Sequence, residues 1–124
     1  MPKVLVIEDE FDVAQSIKSV LEEENFEVLI GIGGHDALEK LETYKPDVIL
    51  LDIIMPIMDG TEVLKKLREN KATKNIPVVA VTAISASAGI KNELLGIDPK
   101  IGFIEKPYHI DDLLKEIKST IKKA

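Results

Sequence analysis

The chain has 124 residues, no cysteine, few aromatic side chains and a formal net charge of −6. That length suits one domain with an ordinary hydrophobic core, which folds without a disulfide or a structural metal. The missing cysteines exclude thiolate nucleophiles and Cys-ligated metal sites, and the acidic balance argues against nucleic acid as a direct partner, since phosphate backbones demand a basic footprint.

Val4-Leu5-Val6-Ile7 is a continuous apolar run of strand length, as expected for a strand covered on both faces. It is too short for the core of a signal peptide, and no stretch approaches a membrane span, so a cytoplasmic protein that does not touch membranes is expected. Helical spacing follows in Val13, Ala14, Ile17, Val20 and Leu21, with Asn25 placed to close the helix in the left-handed conformation. Phe26 to Ile32 reads as a second strand, and Ala37, Leu38 and Leu41 mark a second helix. The glycines of Gly31-Ile32-Gly33-Gly34 between them read as a tight turn.

Val48-Ile49-Leu50-Leu51 is the most apolar strand and belongs at the centre. Val63, Leu64 and Leu67 define a third helix, with Asp59 as its N-cap and Glu62 three residues on. Pro77 to Val81 predicts a fourth strand. Ser85 to Leu95 predicts a weak fourth helix, carrying Gly89 and only Ile90, Leu94 and Leu95 as apolar anchors. A fifth strand is expected from Ile101 to Glu105. Ile110, Leu113, Leu114, Ile117 and Ile121 form the stripe of a last helix, with Asp111 and Asp112 in its first turn and lysines in its last.

The order is βα repeated five times, which implies a parallel sheet with right-handed crossovers and helices on both faces. The expected architecture is a doubly wound five-stranded α/β sheet in the order 2-1-3-4-5, one domain over residues 1–124. Met1 and the lysine-rich end lead to the expectation of a complete chain.

Open parallel sheets bind ligands beyond the carboxyl ends of their strands, where the strand order reverses. Here strand 1 ends in Glu8-Asp9-Glu10, strand 3 in Asp52 and strand 4 in Thr82, while strand 5 runs into Lys106-Pro107. Singly, each has an ordinary explanation as a cap, a strand residue or a surface charge. Together they form a cluster whose acids repel one another unless a cation intervenes. Hard carboxylate and carbonyl oxygens suit Mg²⁺. An aspartate is ordinarily ionised near neutral pH, so Asp52 can serve as a nucleophile without a base. Its obstacle is repulsion from an anionic phosphoryl group, which Mg²⁺ on Asp9 and Asp52 would screen. Lys106 would balance charge on the transferred oxygens, and the Thr82 hydroxyl would donate to one of them.

Glu8-Asp9, Asp52, Met55-Pro56-Ile57-Met58-Asp59-Gly60, Thr82-Ala83 and Lys106-Pro107 together resemble the receiver domain of two-component response regulators, in order and over the whole chain. The resemblance implies that Asp52 is the phosphoacceptor and that Glu8, Asp9 and the backbone carbonyl of Ile54 help to hold Mg²⁺. It implies that Thr82 and Lys106 contact the phosphoryl group and that the rotamer of Phe103 reports phosphorylation. A histidine kinase or phosphotransfer protein would then be the donor and another protein the effector. Glu8 stands where an aspartate is often found. The stretch from Gly96 to Gly102 looks longer than the family's usual small-residue turn.

Competing readings fare worse. A flavodoxin-like electron carrier shares the fold class, but Glu8-Asp9-Glu10 would repel a flavin phosphate. A dinucleotide fingerprint fails because Asp36 stands at its last glycine, and no Walker loop exists. A haloacid-type phosphatase would want an aspartate at Ile54. The remaining rival is a receiver-like binding module that works without phosphorylation.

Overall fold

The computed structural model describes residues 1–55, 58–83 and 88–123. The elements are β1 (Lys3–Glu8), α1 (Phe11–Glu23), β2 (Glu27–Ile32), α2 (Gly33–Lys40), β3 (Val48–Asp52), α3 (Gly60–Glu69), β4 (Val78–Ala83), α4 (Ala88–Ile97), β5 (Gly102–Lys106) and α5 (Ile110–Lys123). All strand pairs are parallel, in the order β2-β1-β3-β4-β5. This is the doubly wound, flavodoxin-like sheet that the βα alternation predicts.

Each apolar strand splits its side chains between two cores, because successive residues point to opposite faces. Val4, Val6, Val48, Leu50, Val79 and Val81 meet Ala14, Ile17 and Leu21 of α1 and Leu113, Leu114 and Ile117 of α5. Leu5, Ile7, Ile49, Leu51, Val78 and Ala80 meet Ala37 of α2, Val63, Leu64 and Leu67 of α3 and Leu94 of α4. β3 is buried along its whole length, as a central strand must be. The caps behave as expected: Asn25 has φ +68°, and Asp59 Oδ1 accepts from the Glu62 N–H at 2.9 Å.

Two local readings need correction. The tight turn expected over Gly31-Ile32-Gly33-Gly34 narrows to a single junction. β2 continues through Ile32 and α2 begins at Gly33, whose φ of +85° reverses the chain within one residue at no Cβ cost. The fourth helix runs Ala88–Ile97, so the expected Ser85 to Ser87 lie outside the described residues. Gly96 and Ile97 are helical, and the connection to β5 shortens to 98–101. The helix is extended because the Asp98 N–H still bonds the Leu94 carbonyl at 2.9 Å, and Pro99 ends it. Of the expected anchors, Leu94 is fully buried, whereas Leu95 is exposed.

At the free edge of β2, the Glu27 N–H bonds the Pro2 carbonyl at 2.9 Å, so odd residues face β1 and even residues face outward. Two of those outward groups are taken by α2. Asp36 Oδ2 accepts from the Ile32 N–H at 2.8 Å, and Lys40 Nζ donates to the Ile30 carbonyl at 2.6 Å. Asp36 and Lys40 also pair with each other at 3.0 Å.

Candidate functional site

The strand order reverses between β1 and β3, and a cleft of about 480 Å³ opens there at the carboxyl ends of the strands. Glu8, Asp9, Asp52, Ile54, Thr82 and Lys106 all line it. Every site residue expected from sequence except Phe103 is therefore in one place. The strands position them by simple extension: Glu8, Asp52 and Thr82 directly follow apolar runs locked in register, Asp9 follows Glu8, and Lys106 ends β5.

Glu8, Asp9 and Asp52 can each offer a carboxylate oxygen within 4.8 Å of the others. Glu8 is 4% exposed and Asp52 is 7% exposed. Burial, together with the hydrogen bond and negative charge of Asp52, pushes the Glu8 carboxyl up to about 8. A protonated Glu8 is the cation-free way of relieving three crowded acids. An all-oxygen set under that strain fits a hard divalent cation, and these three residues form the one such group among those described.

Asp52 is held on both oxygens. Oδ1 accepts from the Ile54 N–H at 3.1 Å, and Oδ2 faces Lys106 Nζ at 3.6 Å. The Glu10 N–H donates to Glu8 Oε1 at 3.3 Å. Thr82 is 2% exposed, yet its Oγ1 finds no hydrogen-bond partner among the described residues. A buried hydroxyl left without a partner is costly, and this one belongs to a residue that lines the cleft.

Phe103 lies outside the cleft. It is half-buried against the core under α3 and α4 and pairs in register with Ala80, as Glu105 pairs with Thr82. Thr82 and Phe103 thus share one face of the sheet, a register step apart.

Gly60, the last residue of the stretch Met55 to Gly60, also has a structural role beneath the site. A Cβ there would lie 2.5 Å from Ile53 Cα and 2.7 Å from the Asp52 carbonyl oxygen. The helix α3 is thereby seated directly on the backbone that carries Asp52, with the Gly60 N–H bonded to the Ile53 carbonyl at 2.8 Å. Glycine at the first position of a helix, where propensity disfavours it, was the available signal.

A doubly wound parallel sheet with an acidic, metal-competent cleft at its switch point defines a small class of α/β proteins. The family model for the response regulator receiver domain matches residues 4–118, and the chain belongs to that family. It is 34% identical over 124 residues to the response regulator ArlR of Staphylococcus saprophyticus, covering 99% of this chain and 54% of that protein. It is 33% identical over 120 residues to the probable transcriptional regulator ycf29 of Pyropia yezoensis, covering 96% and 53%. The chain therefore spans about half the length of the curated relatives it matches. Among solved structures, the chemotaxis protein CheY4 of Vibrio cholerae superposes with a TM-score of 0.90 at 30% identity, covering 97% of this chain and 98% of that one. The receiver domain of a Francisella response regulator follows at 0.85 and 34%, covering 99% and 98%. No helix among the described residues is long and apolar enough to cross a membrane.

Proposed function

We propose that this chain is a single receiver domain over residues 1–124 that accepts a phosphoryl group on Asp52 and acts as a protein-binding switch rather than as an enzyme with its own substrate. The observation that carries the reading is the pairing of a buried Asp52 with Lys106 in the same cleft as an unpartnered Thr82 hydroxyl. Glu8, Asp9, Asp52 and the Ile54 carbonyl would hold Mg²⁺. When bound, the metal neutralises the crowded carboxylates and lowers the repulsion that a phosphoryl group meets.

An Asp52 carboxylate oxygen attacks phosphorus as the bond from phosphorus to the donor's imidazole nitrogen breaks. The electron pair leaves with the imidazole, and an acyl phosphate forms. Lys106 compensates charge on the transferred oxygens, and Thr82 donates its free hydroxyl to one of them. With Thr82 drawn toward the cleft, Phe103 on the same sheet face turns into the space behind it. The donor is a histidine kinase or phosphotransfer protein, and the effector is another protein, within the cytoplasm.

Incubation with acetyl phosphate, followed by intact-mass measurement, tests the reading. One phosphoryl adduct is expected with Mg²⁺ and none with EDTA or in Asp52→Asn. Labelling that persists in Asp52→Asn would refute the assignment.

A further inference from the structure

Gly60 opens α3, although helix propensity disfavours glycine there. Backbone conformation does not call for it either, since Gly33 is the one described glycine with a left-handed φ. What position 60 lacks is room. A Cβ would stand 2.5 Å from Ile53 Cα, 2.7 Å from the Asp52 carbonyl oxygen and 2.8 Å from Ile53 Cδ1. The first two are backbone atoms, which cannot swing aside as a side-chain tip can.

The parts on either side of this contact are both held. β3 lies between β1 and β4, and the Ile53 N–H bonds the Val81 carbonyl at 3.2 Å. Across from it, the fully buried Val63, Leu64 and Leu67 seat α3 in the core. Between them lies the peptide joining Ile53 to Ile54. Its carbonyl accepts from the Gly60 N–H at 2.8 Å, and its N–H donates to Asp52 Oδ1 at 3.1 Å. A peptide is planar, so its two ends turn together. One rigid unit thus links the start of α3 to the carboxylate of Asp52.

We infer that Gly60 is a positioning residue for the acidic cleft: its bare Cα lets α3 hold the Ile53–Ile54 peptide, and that peptide aims Asp52. The inference rests on the reading of the cleft as a Mg²⁺ site. An added methyl has to be absorbed where restraint is least, at the peptide just past the strand. Its rotation withdraws the Ile54 N–H from Oδ1 and turns the carboxylate away from Glu8 and Asp9, with which it can share a cation. Gly60 acts through the peptide, not on the cation.

Calorimetric titration of the chain with Mg²⁺, and hydrogen exchange of the Ile54 amide in EDTA, test this. Gly60→Ala should weaken Mg²⁺ binding about tenfold and speed Ile54 exchange about tenfold, as expected for loss of a hydrogen bond to a charged group. Val63→Ala, in the same helix, should loosen the fold and leave Mg²⁺ affinity within about twofold. Adding Ile53→Val to Gly60→Ala removes only the Cδ1 contact, so affinity should stay low. Asp59→Ala unties the first turn of α3 without a clash and should weaken Mg²⁺ binding about threefold, whereas Asp59→Asn keeps the cap and should bind as the parent does. Affinity unchanged in Gly60→Ala, an equal loss in Val63→Ala, or recovery through Ile53→Val would each overturn the positioning role. Should Gly60→Ala not fold, the Asp59 variants decide, and equal affinities in Asp59→Ala and the parent would overturn it. If the parent binds no Mg²⁺, the metal reading falls, while Ile54 exchange in EDTA still decides for or against Gly60.

Discussion

At the amino-terminal edge of the sheet, Arg68 reaches Asp98 and two backbone carbonyls, so that opposite charges and polar groups inside the fold are matched. At the carboxyl-terminal edge, Glu8, Asp9 and Asp52 crowd together, with Lys106 at 3.6 Å and a Thr82 hydroxyl that has no partner among the described residues. The same chain thus satisfies its buried ionisable groups at one end and leaves them in conflict at the other. The difference separates holding the fold together from holding a site ready. A matched network resists change, whereas a conflicted one lowers its free energy when a cation or an acceptor arrives.

The comparison can be broken most forcefully at the matched end. Arg68→Ala leaves Asp98 charged and nearly buried and deprives two carbonyls of donors, so a loss of about 3 kcal/mol is expected in urea unfolding. A loss below about 1 kcal/mol, the value of an exposed pair, would show that this edge is not a matched interior network.

At the conflicted end, pH supplies the next test. The native Glu8 carboxyl keeps its proton up to about 8, whereas the unfolded one releases it near 4.5. Between those values the native state binds more protons, so stability in EDTA should fall as pH rises and level off above about 8. Asp52→Asn removes the neighbouring charge and should flatten that slope. Urea unfolding across this range decides it, and stability rising with pH through the window would contradict the crowding.

The smallest effect is expected at Asp9. Asp9→Asn should stabilise the metal-free chain by on the order of 1 kcal/mol, roughly 4 °C, because it relieves repulsion. It should also shrink the rise in melting temperature that Mg²⁺ produces in the parent. A lower metal-free melting temperature would mean that Asp9 acts as a structural cap.

Much of the fold could be read from the chain because its information is local. Strands buried on both faces are written as unbroken apolar runs, and Asp59 with Glu62 or Asn25 after Leu21 are signals within one helical turn. The cleft was legible for the same reason: Glu8, Asp52 and Thr82 each stand where an apolar run stops, Lys106 closes the last strand, and topology alone gathers strand ends. Arg68 and Asp98 escaped because they meet across 30 positions with no period to announce them. Gly60 escaped because its reason lies in the backbone of Asp52 and Ile53, not in its neighbours. The end of α4 was misplaced because Gly96 argues for a stop, while the bond from Asp98 to Leu94 carries the helix past it.

The side chains of Asp36 and Lys40 have a consequence beyond the single molecule. β2 is an edge strand, and an edge strand with vacant hydrogen-bonding groups templates the addition of a strand from another chain. By occupying the outward N–H of Ile32 and the outward carbonyl of Ile30, these two residues seal that end of the sheet. Strand addition at this edge would first have to break that charged pair and its two backbone contacts. Along this part of β2, a strand from another copy could pair only after displacing both contacts.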